Sequence, residues 1–329
     1  MTPPPLPKPV GDSLILTGAS LPKSQADKTL QGAGSGFSFF GGREDKYQNA
    51  ADLYVQAANA FKMQKQGQHR PIRFARPAAL KLTVAPAYID LEAGKAFEKA
   101  AEVFTKNLNE PDDAANSLID AFKAYRKTDA QSAVRCVKVA IQRYCAKGNF
   151  RRAAGQQEAL AEVYEQELGD TKSALEALES AASWYEGDNA NALANKLWIK
   201  VADMAAFEGD YYKAIENYEK VAAVSIDNNL MKYSVKDYFL KAGICHLASG
   251  DMVATHRALD KYRDMDPSFA TQREHMLLVD LCEAIEEKNK DQFTDKLYQY
   301  DQMSKLDKWK TGMLVKVKNT IEEADDEFA

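Results

Sequence analysis

One short pattern recurs along this chain, and its spacing leaves few folds open. Gly followed by Asp or Asn, with Ala four or five residues after the Gly, begins at Gly148, Gly169, Gly209 and Gly250. The last three copies are 40 and 41 residues apart. Glycine often ends a helix in the left-handed conformation, and Asp or Asn often caps the next helix, so the pattern predicts helical hairpins joined by tight turns.

Small residues followed by aromatic ones recur between these turns. Small side chains let two helices approach each other, and aromatic rings fill the groove between them. The pairs are Ala58 and Phe61, Ala121 and Tyr125, Ala161 and Tyr164, and Ala182 and Tyr185. They predict an all-α fold, an array of helical hairpins of the tetratricopeptide (TPR) type, with a unit longer than the ~34 residues of that repeat.

Proline placement supports this prediction. Of the 11 prolines, only Pro111 and Pro267 follow residue 86. Because proline costs roughly 3 kcal/mol inside a helix, the rest of the chain after residue 86 is open to helix formation. Leu80 to Val84 is a weak candidate for a strand.

Composition excludes several classes of protein. The net charge is −5, whereas a dedicated nucleic-acid binder usually carries a strong basic excess. We find no apolar run of the ~18 to 20 residues that cross a bilayer, and no secretory signal, so reduced thiols in the cytoplasm are expected. The four histidines and four cysteines lack metal-ligand spacing, and we predict no metal or cofactor.

A helical array exposes a long face, which usually binds extended partners. The sequence therefore favours a binding scaffold over an enzyme. An enzyme built on such an array is an alternative, but no set of nucleophile, base and orienting group can be placed in it.

Several ordered runs resemble the α-SNAP family, the soluble NSF attachment proteins, particularly its fungal members. The longest is GFSFFGGREDKYQNAADLYVQAA, from Gly36 to Ala58. Further runs are Ala194–Lys196, Ser234–Ala242, Leu306–Lys310 and the acidic tail Asp325–Phe328. The resemblance covers about residues 25 to 68 and 91 to 329.

The resemblance implies a specific function. Proteins of this family are adaptors that coat assembled SNARE complexes, made of a syntaxin-type and partner SNAREs, and recruit the hexameric ATPase NSF. NSF then disassembles the complex after vesicle fusion, in transport steps such as that between ER and Golgi. The family's adaptors carry no catalytic residues and no small-molecule substrate, and they are cytoplasmic proteins held peripherally on membranes of the secretory and endosomal or vacuolar pathway.

The family's fold implies a division of the chain. A right-handed superhelical array of TPR-like hairpins is expected over residues 31–225, and a C-terminal helical bundle with an acidic tail over 226–329. Two segments depart from the family. Residues 1–30 are predicted to be disordered or atypical, and residues 69–90 form an insert that is either a genuine loop or intron sequence read into the protein.

Three phenylalanines, Phe37, Phe39 and Phe40, lie between glycines in the segment 36–42. They can pack on the first hairpin, or they can form an apolar loop that enters a membrane. Burying one aromatic side chain contributes roughly 2 to 3 kcal/mol, so two or three would give reversible attachment. The resemblance favours the membrane loop.

Basic residues form a second candidate site. Lys196 and Lys200 are four residues apart and so share one helix face. The simpler interpretation is that this face only contacts water. The resemblance implies contacts with the acidic surface of the SNARE complex, although Gly155 replaces a lysine of animal members. The implied SNARE-binding residues are Arg151, Arg152, Lys196, Lys200, Lys236 and Arg273.

Acidic residues form the third site. An acidic tail is most often a solvated end, but the apolar Phe328 stands where the family usually has Leu. The resemblance implies that these residues bind and stimulate NSF. They are Asp251, Glu283, Glu286, Glu287, Asp325, Asp326, Glu327 and Phe328. The alternative function is a generic TPR-like scaffold of the chaperone-cofactor type, which needs neither the phenylalanine loop nor this tail.

Overall fold

The computed structural model describes residues 20–34, 42–68 and 86–326. Within these ranges only helices, turns and bends occur, which confirms the all-α prediction. The α-helices are α1 (Ser20–Gly34), α2 (Gly42–Gln68), α3 (Pro86–Val103), α4 (Pro111–Tyr125), α5 (Ala130–Ala146), α6 (Phe150–Val163), α7 (Thr171–Gly187), α8 (Asn191–Phe207), α9 (Tyr211–Ile226), α10 (Lys232–Ser249), α11 (Met252–Met265), α12 (Arg273–Glu286), α13 (Lys290–Met303) and α14 (Lys308–Asp326).

The predicted glycine turns separate these helices. All four glycines of the repeated pattern have a positive φ, between 64° and 87°. Asp210 and Asp251 then cap α9 and α11, since their carboxylates accept from the amides of Lys213 at 3.2 Å and Ala254 at 2.8 Å. Asn149, before α6, makes no such side-chain bond. The glycine part of the prediction is confirmed, and the capping part holds at Asp210 and Asp251.

Two helices end in a π-helical turn. The turns cover Phe104–Leu108 and Tyr164–Leu168, and the next residue is left-handed in both. Each turn follows an Ala-Glu-Val triplet and begins at an aromatic residue. This second repeat, 60 residues apart, is a sequence signal of the π-helical turns that the glycine pattern does not include.

Close approach of helices explains the alanine and aromatic pairs. All eight residues of the four pairs are buried. Between α3 and α4 the approach is close, because a Cβ atom added to Gly94 would lie 2.5 Å from the Tyr125 ring. Successive helices from α1 to α6 and from α7 to α10 pack on one another, so the predicted array of helical hairpins is confirmed.

Packing divides the chain into two units, Met1–Asp170 and Thr171–Ala329. The border predicted at residue 225 lies within the second unit, where α9 packs on α10, and it stays a prediction. The core of the second unit contains the fully buried rings of Tyr218, Phe239, Tyr262, Phe269 and Phe293. Phe239 stacks on Tyr262 with ring centroids 4.5 Å apart.

Two segments that depart from the family are partly helical. Residues 20–30, for which disorder or atypical structure is predicted above, belong to α1. The insert over residues 69–90 overlaps α3, whose first residue is proline, a favourable residue at that position. Ile89 is 1% exposed, and Asp90 pairs with Lys65 of α2. A separable loop could therefore cover only residues 69–85, which lie outside the described residues together with the strand candidate Leu80 to Val84.

Candidate partner-binding surfaces

Lys196 and Lys200 share one face of α8, as their spacing predicts. Lys196 is exposed and Lys200 is half-buried. Leu197 and Val201, the residues after them, lie roughly 100° further round the helix and are at most 1% exposed. The apolar face thus fixes the orientation of α8 and directs the two lysines outward.

Lys236 and Arg273 come from α10 and α12, and the structure brings them to one place. The Lys236 Nζ lies 2.9 Å from Oε1 of Glu274, the residue after Arg273. Glu274 is 7% exposed, whereas Arg273 is exposed. No local pattern indicates Glu274, because the carboxylate lies 38 residues from its lysine in the sequence.

These four cations lie on three helices of the second unit. Short connections make α9 antiparallel to α8 and α10, so α8 and α10 run in the same direction, and Lys236 of α10 meets Glu274 at the start of α12. Each of the four cations lies within the first ten residues of its helix. We call Lys196, Lys200, Lys236 and Arg273 the basic surface.

Four carboxylates cluster at the other end of the same unit. Glu283, Glu286 and Glu287 are exposed around the last turn of α12, and Asp251 caps the start of α11. Glu286 Oε1 lies 2.7 Å from Nε2 of His256 on α11. Because α11 begins where α10 and α12 end, these four residues share one end of the unit, which we call the acidic end.

Helix electrostatics makes the acidic end unusual. The C-terminus of a helix carries a partial negative charge, so carboxylates there are repelled by roughly 0.3 to 1 kcal/mol each. Three carboxylates lie at this terminus of α12, and folding stability does not explain their presence. Binding to a basic partner would explain it.

The two arginines of the candidate site lie in the first unit. Arg151 and Arg152 are exposed at the start of α6. The Arg152 guanidinium lies 4.6 Å from the centroid of the Tyr144 ring, and its Nη2 donates to Asn116 Oδ1 at 3.1 Å. Contacts within the first unit therefore orient the Arg152 guanidinium.

The remaining candidate residues lie at or beyond the limits of the description. Phe37, Phe39, Phe40, Glu327 and Phe328 lie outside the described residues. The helix α14 reaches Asp326, but the side chains of Asp325 and Asp326 are not described. Helix α14 packs on α8, α10 and α13 of the same unit.

Among the described residues, neither a metal site nor a reactive thiol accompanies these surfaces. Among the described residues, no cluster of three or more His, Cys, Asp or Glu side chains could hold a metal ion. Burial raises the pKa of the Cys136 and Cys282 thiols to about 12, which makes them poor nucleophiles at neutral pH. In the same ranges, no helix combines the length and the apolar character that a membrane crossing requires.

An array of helical hairpins with a basic surface and a separate acidic end has the architecture of a protein-binding scaffold. The family model for the soluble NSF attachment protein, SNAP, matches residues 19–87 and 90–322. The chain belongs to this family.

Named relatives agree with the family model along nearly the whole chain. A probable vesicular-fusion protein sec17 homologue of Neurospora crassa is 53% identical over 307 residues, which cover 93% of this chain and 97% of that protein. The corresponding protein of Schizosaccharomyces pombe is 46% identical, over 92% of this chain and 96% of its own length. The human alpha-soluble NSF attachment protein is 36% identical, with 93% and 95% covered.

Proposed function

We propose that this protein is an adaptor that binds assembled SNARE complexes and recruits and stimulates the NSF-type ATPase that disassembles them in vesicle fusion. Its family and the relatives named for vesicular fusion support this function. The structural observation that carries it is the separation of the cations on α8, α10 and the start of α12 from the carboxylates around the end of α12 and the start of α11. A protein that joins an acidic partner to a basic one needs two such surfaces, separate from each other.

The basic surface would contact the acidic side of the SNARE complex. One exposed ion pair contributes only about 0.2 to 1 kcal/mol, so affinity requires several contacts. Lys196, Lys200, Lys236 and Arg273 supply four in the second unit, and Arg151 and Arg152 supply two in the first. On a protein with a net charge of −5, such a local basic surface also steers the approach of an acidic rod.

The acidic end would contact basic domains of the ATPase. Charge determines the encounter rate and the register of such a contact, whereas a buried apolar residue determines much of its strength. We assign the first role to Asp251, Glu283, Glu286, Glu287 and the tail. The second role falls to Phe328, so Phe328→Ala would weaken stimulation of ATP hydrolysis more than recruitment.

Membrane attachment belongs to the same proposal. Phe37, Phe39 and Phe40 would enter the bilayer and raise the local concentration of the adaptor where membrane-anchored SNARE complexes lie. The protein would thus be cytoplasmic and peripherally bound to membranes of the secretory and endosomal or vacuolar pathway. It would itself catalyse no reaction and bind no small-molecule substrate or nucleic acid.

The test is recruitment of the ATPase to an immobilised SNARE complex in a nucleotide that is not hydrolysed. We expect the ATPase to be retained only when this protein is added. The alternative, a scaffold of the chaperone-cofactor type, predicts no retention.

Charge variants separate the two surfaces. The triple change Glu283→Gln, Glu286→Gln and Glu287→Gln should reduce recruitment of the ATPase and leave SNARE binding intact. The matched control neutralises three exposed carboxylates elsewhere in the second unit, Glu176, Glu216 and Asp264. Equal recruitment by both triple variants would contradict the role of the acidic end.

A further inference from the structure

Two of the sequence runs that resemble the family contribute only one residue, Lys236, to the surfaces described above. These runs, Ser234–Ala242 on α10 and Leu306–Lys310 at the start of α14, meet inside the second unit. The Lys310 Nζ lies 2.6 Å from Asp237 Oδ1 and 2.8 Å from Asp307 Oδ2. The Lys241 Nζ lies 4.8 Å from the centroid of the Trp309 ring.

Asp203 of α8 joins the same contacts. Its Oδ1 accepts from Lys241 Nζ at 2.7 Å, and its backbone oxygen accepts from the Trp309 indole N–H at 3.0 Å. The Tyr218 hydroxyl of α9 also donates to this carboxylate. Four helices, α8, α9, α10 and α14, therefore meet at one residue.

The charges of this network are removed from water. Lys241 and Lys310 are each 8% exposed. Burial and the neighbouring Asp203 raise the pKa of Tyr218 well above its usual range, so the hydroxyl keeps its proton and remains a donor. The desolvation of a buried ion pair largely cancels its attraction, and apolar residues of the same volume often stabilise a protein as well.

Directional contacts can nevertheless select one arrangement. Helix α14 packs through the stripe Met313, Val317 and Ile321, all at most 4% exposed. Apolar contacts of this kind tolerate a shift of register, because the hydrophobic effect has no direction. The indole N–H and the two ammonium groups find their partners in one register alone.

The network also touches the basic surface. Asp203 lies three residues after Lys200 on α8, and Asp237 directly follows Lys236 on α10. The helix that the network holds, α14, continues into the acidic C-terminal residues of the chain. The network is thus the polar connection between the elements that carry the two proposed partner sites.

We propose that Asp203, Lys241 and Trp309 hold α14 in one register against α8 and α10, and that this register presents the acidic C-terminal segment to the ATPase in a productive position. Lys241 is the central positioning residue, because it contacts both Asp203 and the Trp309 ring. This inference rests on the proposed adaptor function and adds to it a requirement for fixed geometry between the two partner sites.

The first experiment measures the register without any partner. Spin labels are attached through Ala192→Cys on α8 and Val315→Cys on α14, both exposed, in a background with Cys145→Ser. We expect one narrow distance in the otherwise unchanged protein and a broad or double distribution in Lys241→Met. The matched control is Lys261→Met, which removes a lysine that pairs with Glu219 at 2.6 Å outside the network; it should keep the narrow distance.

The second experiment measures ATP hydrolysis by the NSF-type ATPase on SNARE complex at saturating adaptor. Lys241→Met should lower stimulation by about fivefold, while affinity for the SNARE complex stays within about twofold. The Lys261→Met control should stimulate normally. Trp309→Phe keeps the ring and removes only the indole N–H, so it tests the same contact if Lys241→Met does not fold.

The outcomes are distinct. A narrow, unchanged distance in Lys241→Met would overturn the positioning role, and so would a broadened distance with full stimulation. If the unchanged protein fails to stimulate the ATPase at all, the proposed function is wrong, whereas the distance measurement still decides whether the network fixes the register.

Discussion

At the scale of single residues, Glu219 shows how a carboxylate remains ionised between packed helices. It lies on α9, where Lys261 Nζ approaches one oxygen at 2.6 Å and the Tyr262 hydroxyl donates to the other at 2.8 Å. Burial alone would raise the pKa of this carboxyl group, but its hydrogen-bond donors lower the pKa from 4.5 to about 2. The pair of helices α9 and α11 is therefore stabilised by an ionised Glu219.

This pKa shift predicts a pH dependence of stability. Between pH 4.5 and about 2 the unfolded chain binds more protons at this position than the folded one. The stability that Glu219 contributes is therefore complete above pH 4.5 and lost as the pH falls through this window. In urea unfolding at stepped pH, Glu219→Gln should show a shallower fall of the midpoint than the unchanged protein.

Glu216 is the matched control, since it lies on the same helix and is exposed. Glu216→Gln should keep the steep fall. If the Glu219 and Glu216 variants show the same slope, the network around Glu219 does not stabilise the folded state in the way described.

At the scale of elements, α12 carries charges that its own dipole disfavours. Glu283, Glu286 and Glu287 lie at its C-terminal end, and Glu286 has an exposed contact with His256. Changing all three to Gln should raise the free energy of unfolding by about 1 kcal/mol. Thermal unfolding at low salt measures this gain, which high salt should reduce. A loss of stability would show that these carboxylates serve the fold and not a partner.

The hairpin of α3 and α4 depends on a glycine. Gly94→Ala would place a Cβ atom 2.5 Å from the Tyr125 ring. We expect a loss of about 1 to 3 kcal/mol, because the packed ring must move. Gly32 of α1 has no atom within 4 Å of the corresponding position, so Gly32→Ala should leave stability unchanged or raise it. Chemical denaturation compares the two, and equal midpoints would contradict the close approach.

Local signals explain which elements the sequence predicts. Gly209 and Gly250 need a positive φ, and Asp210 and Asp251 cap the helices that follow, so both turns follow from adjacent residues. The start of α3 at Pro86 does not follow from adjacent residues, because the resemblance treats residues up to 90 as an insert. Only the structure shows that Ile89 is buried.

Long-range partners explain what the sequence does not predict. The resemblance names Lys236, but its partner Glu274 depends on how α10 packs on α12. The indole N–H of Trp309 meets the backbone of Asp203 across 106 residues. No periodicity within one helix encodes such a contact, since it depends on the register between helices.

At the scale of the whole molecule, the proposed function depends on two partner sites on one chain. Because the basic surface and the acidic end are separate, we expect both partners to bind at the same time. Salt screens exposed charges over about 10 Å at 0.1 M, so both contacts should weaken as the salt concentration rises. Simultaneous binding is therefore the property to measure.

The central claim is that this protein couples a SNARE complex to the ATPase that takes it apart. Disassembly of a fluorescently labelled SNARE complex by the NSF-type ATPase with ATP measures it directly. We expect disassembly to require this protein and to fall by about tenfold or more with Lys196→Glu and Lys200→Glu together. The control Lys172→Glu with Arg257→Glu, which changes charge equally at two exposed positions of the same unit, should disassemble normally. Disassembly at the full rate without the protein, or with the Lys196 and Lys200 double variant, would contradict the account.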